Sequence, residues 1–312
     1  MSFVVTILGS SSAIPTTKRF PTAHVLNVHE RFFLIDCGEG TQIQLRRFGI
    51  SSARINHIFI SHLHGDHVFG LFGLMSSYTL LGRKNDLHIY AHNDLQATLD
   101  HYKLFFGAGL TYNIIFHPFF PGEQLEIYND NHLTVTILPL RHSIPVAGFI
   151  FREKHKPLNV KKEAIEKYSI GIRDIRNIKE GMDYTLSGGE IIKNSELTMP
   201  PYKPRSYAFC TDTTCFSRLI TSLMDIDLLY FEATFAEKDK KLAKLTGHST
   251  SAQAALLAKK ANVGKLLIGH FSTRYKIITP LLEEARAIFP ETSAVEDGEK
   301  YRVIQVRMRS QA

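Results

Sequence analysis

The chain has 312 residues, 44% of them hydrophobic and 21% charged, which is enough apolar material for a large buried core and excludes a disordered or fibrous chain. Three cysteines are too few, and odd in number, for a disulfide framework and point to a reducing cytoplasm. Lysine plus arginine (37) exceed aspartate plus glutamate (30), and the resulting +7 favours a polyanionic partner. The longest apolar run, VFGLFGLM, is far below the ~18 residues needed to cross a bilayer, and MSFVVTILGS has no export-signal pattern.

In chain order, FVVTILG, AHVLNV, RFFLIDCG and INHIFIS read as strands, with a helix over GTQIQLRRF between the third and fourth. VFGLFGLMSSYTLL has the length of a buried helix, LHIYAHN reads as a strand, and DLQATLDHYKLFF as a helix. Strands follow near Gln124–Tyr128, Leu133–Pro139 and Ala147–Phe151. Residues 152–204 break this rhythm with charges, a Gly-Gly turn and prolines at 200, 201 and 204, and are expected to form an inserted arm. Nine Lys or Arg against four acids between 152 and 179 place +5 of the net charge there, either an RNA-binding surface or a solvated face. The core resumes with SYAFCTDTT, a helix over 216–223 and the strand LLYFEATF. GHSTSAQAALLAKKA is a helix with Ser249 or Thr250 as its cap, KLLIGHF a strand, and Thr279 with Pro280 the N-cap and N1 of a last helix. The whole is an α/β chain, one domain over 1–312 with sheets covered by helices.

Ser61-His62-Leu63-His64-Gly65-Asp66-His67 stands directly after the strand INHIFIS. On one helix, at ~100° per residue, these ligand types would scatter over several faces, so a loop is expected, bent at Gly65. His62 and His64 would then face one ion while Asp66 and His67 turn toward a second, and the N/O ligand set suits zinc, with manganese as the alternative. One loop cannot fill two coordination shells. His142, Asp212 and His270, each just past an apolar run, are the expected further ligands. Nine other histidines read as ordinary core or surface imidazoles.

The HxHxDH loop resembles the signature of the metallo-β-lactamase superfamily. LIDCGEGTQIQLRR (34–47), SHLHGDHVFGL (61–71), FEATF (231–235), GHST (247–250) and HFSTRY (270–275) are similar to the ribonuclease Z family within it. This resemblance implies a metallo-β-lactamase-like αββα sandwich with an inserted arm and two zinc ions per chain. His62, His64 and His142 would hold one, Asp66, His67 and His270 the other, and Asp212 would bridge them. It further implies Asp66 as general base, His248 supported by Glu232 as general acid, and Asp36 either orienting the loop or stabilising its own turn. Arg274 would clamp a substrate phosphate or brace its loop. The implied function is that of a cytoplasmic, homodimeric endoribonuclease that removes the 3′ trailer from precursor tRNA, leaving a 3′ hydroxyl on the tRNA and a 5′ phosphate on the trailer. In the arm, KEGMDYTLSGGEII (179–192) matches the family, whereas IGIRDI (170–175) stands where a Gly-Pro motif is usual. The alternatives are another hydrolase of the fold, such as a small phosphodiesterase or thioesterase, and a metal-free RNA-binding relative.

Overall fold

Most strands of this chain carry apolar residues at consecutive rather than alternate positions, as strands covered on both faces do. The computed structural model, which describes residues 2–308, shows two seven-stranded sheets in which each face finds its own partner layer. In chain order the first half contains β1 (Phe3–Gly9), β2 (Ala23–Val28), β3 (Arg31–Ile35), α1 (Thr41–Arg47), β4 (Ile55–Phe59), α2 (Gly65–Leu80), β5 (Leu87–His92), α3 (Leu95–Phe106), β6 (Ile114–Phe119), β7 (Glu126–Asn129), β8 (Leu133–Pro139) and β9 (Ala147–Glu153). After β10 (Asn159–Val160), α4 (Lys162–Tyr168), α5 (Ile172–Lys179), β11 (Tyr184–Thr185), β12 (Ile191–Ile192), α6 (Asn194–Leu197) and β13 (Thr198–Met199), the sheets resume. They are completed by β14 (Ser206–Cys210), α7 (Arg218–Ser222), β15 (Leu228–Glu232), α8 (Lys240–Thr246), α9 (Ser251–Lys260), β16 (Lys265–Gly269), α10 (Thr279–Ile288), β17 (Thr292–Ala294) and β18 (Lys300–Arg302).

The first sheet runs β18-β1-β2-β3-β4-β5-β6 and the second β17-β16-β15-β14-β9-β8-β7. Phe3, Val5 and Ile7 of β1 meet Phe149, Tyr207 and Tyr230 in a core between the sheets. The other face of the first sheet packs Leu34, Ile58 and Ile89 against Leu71, Met75 and Leu99 of α2 and α3. On the far side, Leu229, Phe231 and Ile268 pack on Leu219, Ala254 and Leu281 of α7, α9 and α10. Three cores between four layers make the αββα sandwich. Strands β3 to β6 and β14 to β17 are parallel, so their carboxyl ends gather at common edges where loops can carry a site.

Strands β6, β17 and β18 and helix α8 have no counterpart in the sequence reading. All three strands lie at sheet edges; β6 contains Pro118, which cannot donate to a ladder, and the other two have three residues each. The last helix starts one residue earlier than the Thr279 cap implied, with Ile278 as N-cap. Thr250 caps α9 through a reciprocal box with Gln253. Residues Arg152–Arg205, with residues 304–308, form a separate compact unit. It has its own small core of Ala164, Ile170, Ile178, Ile192 and Leu197, and a buried pair, Arg205 Nη2 to Glu153 Oε1 at 2.8 Å.

Helix α2 owes its position to a glycine. A Cβ on Gly70 would lie 2.0 Å from the Gly38 carbonyl oxygen, and the Gly70 N–H donates to the Cys37 oxygen at 2.9 Å. Gly70→Ala is therefore expected to cost about 1–3 kcal/mol by overpacking backbone against backbone, readable as a lowered denaturation midpoint. It should also weaken metal binding, because α2 carries Asp66 and His67.

Candidate metal centre

Four segments at strand ends deliver the metal ligands. The segment after β4 has no regular structure through Ser61–Leu63, and α2 then begins at Gly65, with an extended His64 as its N-cap. This corrects the expected loop placement of Asp66 and His67, which sit in the first turn of a helix. The scatter of directions is avoided by splitting the motif between irregular chain and helix. Nor does Gly65 supply a left-handed bend; its missing Cβ leaves room for the Phe69 ring, which would lie at 2.3 Å.

The second coordinating edge comes from the other sheet, with His142 three residues after β8, Asp212 two residues after β14 and His270 immediately after β16. His62, His64, His142 and Asp212 offer ligand atoms within 4.8 Å of one another, as do Asp66, His67 and His270. Asp212 faces both groups. Its Oδ2 lies 3.6 Å from Nε2 of His62 and of His142, and its Oδ1 lies 3.4 Å from His67 Nε2 and 3.1 Å from His270 Nε2. One carboxylate oxygen per group is the disposition of a bridging ligand.

The outer nitrogens of the rings fix which nitrogen points inward. His67 Nδ1 donates to Asp36 at 2.7 Å, His142 Nδ1 to the Gly247 carbonyl at 3.0 Å and His270 Nδ1 to the Thr234 hydroxyl at 3.0 Å, while His62 Nδ1 meets Ser61 Oγ at 3.0 Å. With Nδ1 carrying the proton, each inward Nε2 is a lone pair. His64 instead presents Nδ1, 3.1 Å from His62 Nε2. Nε2 of His67 and of His270 are buried without a hydrogen-bond partner, opposite carboxylate oxygens of Asp66 at 3.3 and 3.5 Å. Lone pairs facing carboxylates repel unless a cation lies between them. The carboxylates make the cage a place that favours positive charge: burial disfavours it on His67, yet Asp212, Asp36 and Asp66 hold the His67 pKa well above the ordinary value. Burial likewise opposes ionisation of Asp212, but His270, His67 and His62 hold it well below the carboxylate range. The donor set thus fits metal ions.

Asp36, fully buried, accepts from the Ser61 N–H at 2.7 Å, the Ser61 hydroxyl at 2.9 Å and His67, so it orients the ligand loop; its own φ of 57° also makes the turn. Asp66 Oδ2 accepts the Ala13 N–H at 2.8 Å. Beside the cage, His248 Nδ1 donates to Glu232 Oε1 at 2.9 Å. Burial would lower the His248 pKa, but Glu232 outweighs it and pushes it up to about 9. His248 lines the same cavity of about 660 Å³ as His64, Asp66, Asp212 and His270.

Known proteins place the chain. It is 45% identical over 305 residues to a ribonuclease Z of Phocaeicola vulgatus, covering 98% of this chain and 99% of that one. It is 47% identical over 290 residues to one of Bacteroides thetaiotaomicron, covering 93% and 92%. The chain belongs to the ribonuclease Z family. Its structure superposes on the short form of human tRNase Z with a TM-score of 0.70 and 26% identity, over 96% of this chain and 98% of that one. A metallo-β-lactamase fold protein from Bacillus subtilis, YhfI, shares the fold at a TM-score of 0.67 and 19% identity, covering 97% and 100%. A family model described as Anti-Pycsar protein Apyc1 matches residues 3–155.

Arg274 is not among the residues around the metal cavity. Its guanidinium lies 3.6 Å from Asp239 and 5.4 Å from the Phe235 ring centre, which is the loop-bracing geometry. The sequence reading missed Thr234, although it lies inside FEATF two residues after Glu232. Its hydroxyl donates to Glu232 Oε2 at 2.6 Å and accepts from His270, linking the acid-supporting carboxylate to a ligand ring. Thr234→Val keeps the shape and removes that link. Metal affinity is expected to fall by about 10- to 100-fold, the usual scale for a partner of a ligand histidine, as measured by competition with a chelator, with the fold intact.

Proposed function

We infer that the protein is a tRNA 3′-processing endoribonuclease that hydrolyses the phosphodiester between tRNA and trailer, leaving a 3′ hydroxyl and a 5′ phosphate. The observation that carries this reading is Asp212, one oxygen toward each of two ligand groups, in a chain of the ribonuclease Z family. His62, His64 and His142 would hold one metal ion and Asp66, His67 and His270 the other, with two zinc ions favoured by the imidazole-rich set. Bound there, such a pair would supply a nucleophile near neutral pH and neutralise charge on the attacked phosphate. Asp66, its Oδ2 oriented by the Ala13 N–H, accepts the proton of the attacking water. His248, kept protonated by Glu232, donates to the departing 3′ oxygen. The bond broken is that between phosphorus and this 3′ oxygen.

A further part of the reading, the homodimer, has exposed apolar side chains behind it: Leu80 of α2 and Leu104, Phe105 and Phe106 of α3 would suit a second copy. The three cysteines are free, two of them buried, and no described helix is long and apolar enough to cross a membrane.

The deciding experiment incubates the protein with a precursor tRNA bearing a 3′ trailer and maps the cut. Cleavage at the trailer junction with a 5′-phosphorylated trailer is expected, and an uncut precursor with metal fully loaded overturns the reading. Arg173, Arg176 and Lys179 of the arm are exposed. Shortening residues 155–195 to a turn should therefore abolish precursor cleavage while sparing a small phosphodiester. It should also flatten the salt dependence of RNA binding by about 0.7–0.9 per lost phosphate contact.

A further inference from the structure

His142 and Ser143 line the metal cavity and also a second cavity of about 570 Å³, whose wall includes Phe120 and Arg141. Phe120, in the loop after β6, is 68% exposed, and the ring of His92 from the end of β5 meets it edge-on at 5.6 Å, which sets the plane of the phenyl group. Arg141 is anchored on both sides of its backbone. Its N–H donates to the Thr213 hydroxyl at 3.0 Å, and its carbonyl accepts the Thr214 N–H at 2.9 Å. The guanidinium lies over Phe216 at 4.3 Å and is exposed, with no carboxylate partner among the described residues.

A single exposed phenyl ring is ordinary on a protein surface. Here it is met by a histidine edge and lines one cavity together with Arg141, and that cavity shares His142 and Ser143 with the one that holds the metal ligands. A phosphodiester cut in the first cavity has a nucleoside on each side, and one of them must leave past His142 and Ser143 if it is to enter the second.

We propose that this second cavity is a nucleotide subsite. The base of a nucleotide flanking the cleaved phosphate stacks on Phe120, and the adjoining backbone phosphate meets Arg141. The subsite rests on the endoribonuclease reading above and deepens it, because it assigns the residues that grip single-stranded RNA next to the cut. Base–aromatic stacking tolerates any base, so the subsite adds rate for every substrate without selecting a sequence.

The test is a cycle in kcat/KM on precursor tRNA with metal-loaded protein. The substrates carry either intact bases or one abasic sugar, at the last tRNA nucleotide or at the first trailer nucleotide. Phe120→Ala is expected to lower kcat/KM on the intact substrate by roughly 5- to 150-fold, and Phe120→Trp to restore it. At the stacked position, removing the base and removing the ring should cost together no more than either alone. The position that shows this coupling tells whether the stacked base belongs to the tRNA or to the trailer. Arg141→Gln should reduce the salt slope of binding by about 0.7. Wild-type rates for Phe120→Ala, or additive losses at both positions, would overturn the subsite while leaving the endoribonuclease reading intact. Failure of the wild-type protein to cut any precursor would overturn that reading, and the subsite with it.

Discussion

Asp212→Asn is expected to lose metal from both ligand groups together and to lower precursor cleavage by roughly 10³-fold or more. The reason is geometric. Among the described residues, Asp212 turns one side-chain oxygen to each group, at 3.6 Å from His62 and His142 and at 3.4 and 3.1 Å from His67 and His270. The amide keeps the shape but replaces one acceptor oxygen by a donor nitrogen, which cannot bind a cation, and removes the charge that offsets two ions. Elemental analysis of the purified variant should give well under one metal per chain. The three apolar cores do not depend on this side chain, so circular dichroism should be unchanged. A variant that retains two metals and near-normal turnover would remove Asp212 from the centre.

His248→Ala is expected to keep the metals and slow precursor cleavage by about 10²- to 10⁴-fold, the usual contribution of a general acid. The imidazole hydrogen-bonds to no metal ligand's inward nitrogen; its Nδ1 is engaged by Glu232, itself held by the Thr213 N–H at 2.9 Å and by Thr234. A substrate whose leaving group is a nitrophenolate needs little protonation and should lose far less, and equal losses on both substrates would argue against the proton-donor role. Glu232→Gln gives an independent reading. The carboxylate raises the His248 pKa, so removing its charge lowers that pKa. An acid must be protonated to act, hence the alkaline limb of kcat/KM should move toward lower pH in Glu232→Gln. An unmoved limb would show that His248 does not set it.

These two effects differ in how visible they were in the chain. The HxHxDH run is local, so its residue types alone announced a metal centre, and His142, Asp212 and His270 stood out as polar residues just past apolar strands. The strand pattern itself was legible because each buried strand is a compact apolar run bounded by turn residues. Short edge strands were not, since β17 and β18 are three residues long and β6 carries a proline. The motif's local geometry also escaped, because the boundary between irregular chain and helix at Gly65 is set by how α2 packs on Gly38 and Cys37, which are distant in sequence.

What the amino-acid order determined by itself was the family, the alternation of strands and helices, and the residue types available for chemistry, because these depend on neighbours within a few positions. What only the tertiary structure decided was which side chains from separate strand ends and loops meet. It brought Asp36 under His67, joined Glu232 to both His248 and, through Thr234, His270, turned Arg274 onto Asp239 and Phe235, and set Phe120 beside the metal cavity. Apart from the local bond between Thr234 and Glu232, these contacts join segments held apart in the chain and brought together by the packing of separate strands and loops. Their energies come from burial and from hydrogen bonds that exist only once the sandwich has closed.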